Sequence, residues 1–301
     1  MRLALTGATG FVGAATLDAA LAKSNTVRAL TRRDQTPHER VEWVSGSLSD
    51  PQAIADLCEG VDAVIHIAGL TNTPDIAEFE SANVTGTDHL IHAAQQVGIK
   101  RFVFVSSLSA REPKLSAYGA SKARAETLVE ASGLDWTIVR PPAVYGPRDG
   151  DMFELFRSAK MGIVPLPPGG ATSIVHVNDL AELLVALAAR KKAKAIFEPD
   201  DGREGGWAHK ELAQAIGHAV GKSGVFAPHL PPWMLIAAAG FDRLLRGDRA
   251  KLTADRVGYM CHPNWVARFD KAVPPDLWAP KIGGEEGLKQ TAEWYRAEGW
   301  L

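Results

Sequence analysis

The sequence predicts an α/β protein whose core is a doubly wound parallel sheet, followed by a smaller, mostly helical C-terminal domain. Three observations lead to this fold class. The first 140 residues alternate short β-branched runs with helical patterns. A glycine-rich turn at residues 6–13 follows the first of those runs. After about residue 200 the chain becomes helix and loop, and this part holds six of the eight tryptophans.

Short apolar runs predict the strands, and helical patterns separate them. The predicted strands are 2–6, 27–31, 41–44, 63–68, 101–106 and 137–140, and the predicted helices lie near 11–23, 51–58, 82–97 and 117–131. Strands that alternate with helices form βαβ units, which give a parallel sheet covered on both faces. Two later runs, 173–177 and 195–198, are predicted to return to the sheet, with a helix starting near Asn178 between them.

The predicted domain boundary lies near residue 145. Residues 1–145 form the sheet domain, together with the returning strands near 172–200. Residues 146–171 and 201–301 form a smaller substrate-binding part, which we call the cap. A chain of 301 residues is long enough for two such unequal domains.

Composition and charge argue against several classes of protein. A net charge of −2 gives no reason to expect a nucleic-acid partner. Cys58 and Cys261 lie far apart, with no His or Cys at ligand spacing, so we expect neither a disulfide framework nor a metal site. No apolar stretch reaches the roughly eighteen residues that cross a bilayer, and a strand that begins at residue 2 leaves no room for a signal peptide. We therefore expect a cytoplasmic protein that acts on a small molecule.

The glycine-rich turn predicts a dinucleotide site of the Rossmann type. Gly7 suits a backbone conformation that is closed to other residues. Gly10 lets a pyrophosphate approach the main chain, and Gly13 lets the helix pack tightly on the strand. The unpaired N–H groups at the start of that helix would face the anion. The expected cofactor contacts in the turn are Gly7, Ala8, Thr9, Gly10, Phe11 and Val12.

The residues that end the second strand favour NADP(H) over NAD(H). An enzyme that prefers NAD usually carries Asp or Glu near this point, and a carboxylate would repel a 2′-phosphate. Here the chain has Arg32 and Arg33, whose guanidinium groups pair well with phosphate oxygens. The alternative is that both are solvated loop charges, and Asp34, which follows them, would soften the preference.

Tyr118 and Lys122 stand four residues apart in a predicted helix, so their side chains share one face. A free tyrosine has a pKa near 10. Bringing it to neutrality takes about three units, or roughly 4 kcal/mol of phenolate stabilisation. A nearby ammonium supplies part of this, and an oxidised nicotinamide ring supplies more. Serines at 106, 107 and 109 end the fifth strand, where a hydroxyl can polarise a substrate oxygen. The alternative is an ordinary surface pair on a helix.

These motifs resemble the extended, epimerase/dehydratase-like branch of the short-chain dehydrogenase/reductase superfamily over nearly the full chain. The segments concerned are TGATGFVG (6–13), HIAG (66–69), NVTGT (83–87), FVFVSS (102–107), YGASK (118–122), RPPAVYGP (140–147), VHVNDL (175–180) and GLKQTAEWYRAEGW (287–300). The resemblance implies Tyr118 as the acid–base group, Lys122 as its electrostatic partner and ribose ligand, and Ser107 as the hydroxyl that orients substrate. It also implies cofactor contacts from Ser47, Leu48, Ala68, Gly69, Pro141, Ala143 and Val144.

Two features depart from the pattern of that branch. Ser47 stands where an Asp commonly meets the adenine, and Ser107 and Tyr118 are only eleven residues apart. The short spacing is similar to an atypical branch that includes the respiratory complex I accessory subunit and NmrA-like sensors. Because Tyr118 and Lys122 are kept, the hypothesis is an NADP(H)-dependent oxidoreductase for a small, apolar carbonyl or alcohol. The alternatives are a non-catalytic nucleotide-binding sensor or assembly protein, and a nucleotide-sugar epimerase or dehydratase.

Other conspicuous residues are interpreted as structural. His66 and His176 lie in apolar strand runs and are expected to be packed, hydrogen-bonded core residues. Glu126 is interpreted as the ion-pair partner of Lys122. The apolar segment 233–245, which precedes several basic residues, predicts a cap helix packed on the core. Its alternatives are a membrane-surface helix or the wall of a site for a hydrophobic substrate. The substrate, the reaction direction and the oligomeric state, with a homodimer among the options, stay open.

Overall fold

The computed structural model describes residues 1–190 and 194–301 and confirms the α/β fold. Its strands are β1 Arg2–Thr6, β2 Thr26–Thr31, β3 Val41–Ser45, β4 Ala63–His66, β5 Arg101–Val105, β6 Asp135–Val139, β7 Ala143–Tyr145, β8 Ala171–Thr172, β9 Ile174–His176, β10 Ala195–Phe197, β11 Trp207–Ala208 and β12 Asn264–Trp265. Within this described part, seven strands form one parallel sheet in the order β10-β6-β5-β4-β1-β2-β3. The order reverses beside β1, and a ligand crevice opens at the carboxyl ends of strands at such a point.

The helices follow the predicted pattern, with one irregular stretch. They are α1 Phe11–Ala22, α2 Pro51–Cys58, α3 Ile76–Phe79, α4 Gly86–Gln96, α5 Ala117–Ala131, α6 Phe153–Lys160, α7 Val177–Ala189, α8 His209–Ala219, α9 Pro232–Arg246, α10 Ala254–Met260 and α11 Gly284–Ala297. The helix predicted near 82–97 is α4, and a π-helical segment, Glu80–Thr85, joins it to α3. In such a turn the hydrogen bonds span five residues, which the apolar period of the sequence does not indicate.

One predicted strand does not join the main sheet. The 195–198 run enters it as β10, beside β6, but the 173–177 run becomes β9 and pairs with β7 in a separate sheet. The two prolines at 141 and 142 explain this, because they carry no N–H for the ladder and redirect the chain between β6 and β7. Residues 191–193, within the stretch 172–200, lie outside the described residues.

The sheet sorts its apolar side chains onto two faces by their alternation along each strand. One face packs against α1 and α7; on β5 it uses Val103 and Val105. The other face packs against α2, α4 and α5; on β5 it uses Phe102 and Phe104. The cap has a third cluster built from α6, α8 and α11, which includes the fully buried ring of Tyr295. No helix in the described ranges is long and apolar enough to span a membrane.

A buried ion cluster joins the sheet to the cap. Glu198, directly after β10, has no exposed side-chain surface; its Oε2 lies 3.2 Å from Nη1 of Arg111, and its Oε1 lies 3.6 Å from Nη1 of Arg140. Arg140 also forms a paired contact with Glu126, at 2.8 and 2.5 Å. This corrects the expectation that Glu126 pairs with Lys122. Arg111 completes the link by donating to the carbonyl of Val266 at 2.8 Å.

Replacing Glu198 by alanine should lower the free energy of unfolding by about 3–5 kcal/mol, because two guanidinium groups would stay buried without their shared anion. Urea unfolding followed by circular dichroism measures the change. Glu204→Ala is the matched control, since Glu204 is exposed and a surface change of this kind costs about 0.5 kcal/mol or less. A Glu198→Ala protein as stable as this control would contradict a structural role for the cluster.

Candidate functional site

A cavity of about 880 Å³ lies at the carboxyl edge of the main sheet, and the cap closes its far side. The chain segments after β1, β4, β5 and β6 contribute to its wall, together with α5, α8, α9 and α10. The wall is mostly apolar. Its volume is in the range of small-molecule sites. Within the described residues, no group of three or more His, Cys, Asp or Glu is placed to hold a metal ion.

The glycine turn after β1 has the tight geometry that its sequence predicts. Gly7 has φ of +77°, and a Cβ on it would lie 2.9 Å from the nitrogen of Ala68. A Cβ on Gly13 would lie 1.8 Å from the oxygen of Gly7, so only glycine fits there. The N–H groups of Phe11 and Val12 at the start of α1 donate to no acceptor among the described residues. This cradle fits a phosphate group held by main-chain donors.

The ends of β2 and β3 hold the other predicted adenosine-side contacts. Arg32 and Arg33 are exposed, and their guanidinium groups make no ion pair or hydrogen bond within residues 1–190 and 194–301. They follow β2, which runs parallel to β1, so they share its carboxyl edge. Ser47 bonds to Ser49 through the two hydroxyls at 2.8 Å, and Leu48 packs over Gly86. Arg32, Arg33, Ser47 and Leu48 do not line the cavity itself.

A chain of buried hydrogen bonds holds the loop after β4, where Ala68 and Gly69 lie. The Thr6 hydroxyl oxygen accepts from the N–H groups of Ile67 and Ala68, both at 3.1 Å, and lies 2.7 Å from Nδ1 of His66. Thr87 donates to the carbonyl of Asn83 at 2.6 Å, so it accepts from Nε2 of His66. His66 thus carries its proton on Nε2. Burial lowers its pKa to about 3, which confirms a neutral core histidine.

Asn83 holds the same loop against α5 by hydrogen bonds. The sequence analysis assigned it no role of its own. Its Oδ1 accepts from the N–H of Leu70 at 2.7 Å, and its Nδ2 donates to the Leu70 carbonyl and to the hydroxyl of Ser121, both at 2.9 Å. Asn83 lies in the π-helical turn, and π-turns often occur at functional sites. An Asn inside an otherwise helical pattern is the sequence signal for this role.

Ser107 and Tyr118 meet at the cavity despite their short spacing. Ser107 follows β5 and starts a 3-10 turn, Leu108–Arg111, after which Ser116 caps α5. Burial raises the pKa of Tyr118 well above its usual value, while the nearby Ser107 hydroxyl and the Arg256 guanidinium lower it. A turn of four residues and a directly capped helix therefore connect Ser107 to Tyr118 within this short spacing.

Lys122 lies on α5 with Tyr118, and its ammonium group points towards the end of β5. Its Nζ donates to the carbonyl of Val105 at 2.8 Å and lies 4.7 Å from the centre of the Phe104 ring. Burial lowers its pKa to about 8, and Glu126 opposes that change. The Arg256 guanidinium lowers the pKa of Tyr118, an effect that the sequence analysis did not predict. The Val105 carbonyl holds the Lys122 ammonium at the strand end.

The short cap helix α10 contributes residues that the sequence analysis missed. Asp255 accepts from the N–H groups of Ala117 at 2.5 Å and Tyr118 at 3.3 Å, so it caps α5 from another part of the chain. The ring of Tyr259 lies 6.2 Å from that of Tyr118, and Arg256 pairs with Asp151 at 2.8 Å. The contacts of Asp255 span 137 and 138 residues of sequence and that of Arg256 with Asp151 spans 105, and no local spacing indicates them.

The structure therefore gathers a subset of the predicted residues around one cavity. The segment after β6 lies against the 3-10 turn, with the N–H of Leu108 donating to the carbonyl of Pro141 at 3.1 Å. The predicted residues that line the cavity are Phe11, Val12, Gly69, Ser107, Tyr118, Lys122, Pro141, Ala143 and Val144. His176 lies outside it and starts α7 as its N-cap, accepting from the N–H of Asn178 at 3.2 Å. The helix therefore begins one residue before the predicted Asn178.

Asp149, on the cap side of the cavity, is a buried carboxyl group. It is 3 % exposed, and its two oxygens accept from the N–H groups of Asp151 at 2.8 Å and Met152 at 3.1 Å. Burial raises its pKa to about 7, against the effect of those two hydrogen bonds. The group therefore titrates close to neutrality in the folded protein.

Comparison with known proteins places the chain among nucleotide-dependent enzymes. Residues 7–191 match a family described as NAD(P)H-binding. The ceramide reductase of Caulobacter vibrioides is 34% identical over 310 residues, which cover 99% of this chain and 96% of that protein. The 4-hydroxy-2-methyl-3-oxo-4-farnesyl-3,4-dihydroquinoline-1-oxide ketoreductase of Stigmatella aurantiaca is 30% identical, over 67% of this chain and 69% of its own.

A solved structure shares the fold. UDP-glucose 4-epimerase of Thermus thermophilus, in complex with NAD, superposes with a TM-score of 0.72 at 23% identity. The alignment covers 98% of this chain and 99% of that one. At this identity the similarity establishes the architecture alone.

The free energy of unfolding of the Asp149→Asn variant should increase relative to that of the parent protein as the pH rises from 4 to 7. The folded protein holds the Asp149 proton up to about pH 7, whereas the unfolded chain releases it near pH 4, so ionisation destabilises the parent across this window. The gain is at most about 4 kcal/mol, from three pKa units at roughly 1.4 kcal/mol each. Urea unfolding at pH 4.5, 6 and 8 measures it. A stability difference that is constant with pH would contradict the raised pKa.

Proposed function

Because the chain belongs to the NAD(P)H-binding family, in the epimerase/dehydratase-like branch of the short-chain dehydrogenases and reductases, we propose that it is an NADP(H)-dependent reductase of apolar carbonyl compounds. The observation that carries the proposal is the meeting of the Ser107 hydroxyl and the Tyr118 phenol in a largely apolar cavity beside the glycine turn. The relatives named as reductases support an oxidoreductase of this kind.

Tyr118 is proposed to donate the proton to the substrate oxygen, which Ser107 holds by a hydrogen bond. Burial raises the pKa of the phenol and so keeps its proton in place at neutral pH, which suits an acid in the direction of carbonyl reduction. When bound, the reduced nicotinamide supplies the hydride. Arg256 faces the phenol and favours the phenolate that proton donation leaves behind.

Lys122 is proposed to bind the nicotinamide ribose and to orient the site. One of its three N–H donors is taken by the Val105 carbonyl, which leaves two for ribose hydroxyls. The main-chain donors at Phe11 and Val12 would hold the pyrophosphate. Arg32 and Arg33 support NADP(H) over NAD(H), because their guanidinium groups are exposed and unpaired among the described residues.

An apolar substrate with a long chain fits the cavity. Its wall continues from Tyr118 to Phe241 and Leu245 of α9, and most of the lining side chains between them are apolar. Two of the relatives are named for ceramide and for a farnesyl-bearing quinoline oxide. We therefore expect a ketone or alcohol next to an extended hydrocarbon chain rather than a nucleotide sugar.

Tyr118→Phe should lower kcat/KM by about a thousandfold, in the range of general acid catalysis, and leave the Kd for NADPH within twofold. Loss of absorbance at 340 nm with a panel of long-chain 3-oxo esters and ketones measures turnover, and NADPH fluorescence measures binding. Tyr145→Phe is the matched control, since it removes a phenol that does not line the cavity.

Three outcomes of that assay would overturn the proposal. Tyr118→Phe turnover within tenfold of the parent would exclude Tyr118 as the acid. NADPH binding without consumption on the whole panel would favour a sensor. Copurified, tightly held NAD⁺ together with sugar-nucleotide interconversion would favour an epimerase.

Replacing Arg32 and Arg33 together by alanine should raise the Kd for NADPH at least about tenfold, because each charge-assisted hydrogen bond contributes about 1.5–3 kcal/mol. The Kd for NADH should change by less than twofold, since NADH lacks the 2′-phosphate. Lys23→Ala, at the opposite end of α1, controls for the loss of positive charge. Equal weakening of NADPH and NADH binding would contradict the assigned phosphate contact.

A further inference from the structure

Helix α9 exposes the side chains that a cap helix would be expected to bury. Of its fifteen residues, only Leu235 and Ala239 are buried. Its outer surface carries large apolar side chains, which we call the α9 face: Trp233 (68 % exposed), Ile236 (54 %), Phe241 (61 %), Leu244 (80 %) and Leu245 (67 %). The sequence-based expectation of a helix packed on the core is therefore only partly correct.

The α9 face is one continuous stripe without charge. At 100° per residue, Trp233, Phe241 and Leu244 point to one side of the helix, opposite Leu235 and Ala239. The charged residues of the helix are confined to its last five positions, 242–246. Several large apolar side chains exposed side by side mark an interaction site in a folded protein.

The same helix forms part of the cavity wall. Ala238, Phe241 and Leu245 line the cavity that reaches Tyr118, and Phe241 and Leu245 also belong to the α9 face. The apolar surface is therefore continuous from the outside of the protein to the reaction centre. A second protein copy bound to α9 would cover this entrance. A lipid phase in contact with α9 would instead deliver an apolar substrate to it.

Charge beside the α9 face favours an anionic surface. Residues 232–251 contain four Lys or Arg and two Asp, and Lys251 pairs with Glu154 at 2.7 Å. Arg243 is exposed and forms no ion pair within the part of the chain that the structure describes. The side chain of Arg246 is 39 % exposed, and its Nε lies 3.1 Å from Oδ1 of Asp242. Trp, Phe and Leu side chains on one face of a helix, with arginines outside that face, are typical of a helix that lies in a membrane interface.

A second exposed apolar group lies at the far end of two paired segments that lead into α9. The N–H of Val164 donates to the carbonyl of Phe226, and the N–H of Leu230 donates to the carbonyl of Leu166, so two extended segments run side by side into the helix. Met161 (70 % exposed) and Phe226 (68 % exposed) lie at the far end of this pair.

We propose that the α9 face binds the surface of an anionic lipid bilayer and lies within its interface, so that the hydrophobic substrate enters the cavity from the bilayer. The binding itself follows from α9 alone, and the entry of substrate rests on the proposed function.

Sedimentation with extruded vesicles tests the binding without any catalytic step. The protein should cosediment with vesicles of phosphatidylcholine and phosphatidylglycerol at 3:1, with an affinity at least about tenfold higher than for pure phosphatidylcholine. Ile236→Ser/Leu244→Ser should weaken this binding at least tenfold. Both residues are exposed and neither lines the cavity, so turnover of a short, water-soluble ketone should stay within twofold. Phe269→Ser, which changes an equally apolar residue that is 97 % exposed, is the matched control and should bind as the parent does.

Failure of this proposal and failure of the proposed function give different results. Absence of vesicle binding, or equal binding by the double variant, overturns the membrane proposal. A concentration-dependent dimer that the double variant abolishes, without vesicle binding, assigns the α9 face to a second copy and also overturns it. Vesicle binding by a protein that consumes NADPH with none of the panel overturns the reductase alone. Tyr118→Phe should bind vesicles like the parent.

Discussion

The site depends on the buried hydrogen bonds that hold the loop after β4 against the end of β1. A single hydroxyl, that of Thr6, accepts two main-chain N–H groups and also contacts His66, whose other nitrogen is satisfied by Thr87. Every polar atom in this chain is occupied, and such networks hold one conformation because an unpaired member is costly in a low-dielectric interior. The glycine turn packs directly on the loop that this network fixes, since a Cβ at Gly7 would touch Ala68.

The proposed acid–base chemistry is shared between the sheet and the cap. Burial on α5 makes the phenol of Tyr118 hold its proton, and the groups that oppose this come from Ser107 at a strand end and from Arg256 on α10. Asp255 of the same cap helix binds the first N–H groups of α5. The position of the cap therefore sets both the orientation of the phenol and its tendency to give up a proton.

The elements that the sequence predicts well are those defined by local pattern. Helices α2 and α5 match their predicted bounds because a cap residue precedes each one, Asp50 and Ser116. The pair Tyr118 and Lys122 was predicted from helical spacing, but the spacing does not show that a carbonyl holds the ammonium of Lys122. The pairing of β9 and the contribution of α10 depend on contacts between distant segments, and periodicity carries no information about those.

The cluster around Glu198 has a consequence for changing the specificity of this enzyme by exchanging its cap. Arg111 belongs to the sheet domain, yet it donates to the main-chain carbonyls of Asn264 and Val266 in the cap. A transplanted cap from another member would have to present two acceptors at the same place. Otherwise the hybrid would bury a guanidinium group with some of its N–H donors unsatisfied, which would destabilise its fold. A new substrate range could then not be introduced without a loss of stability.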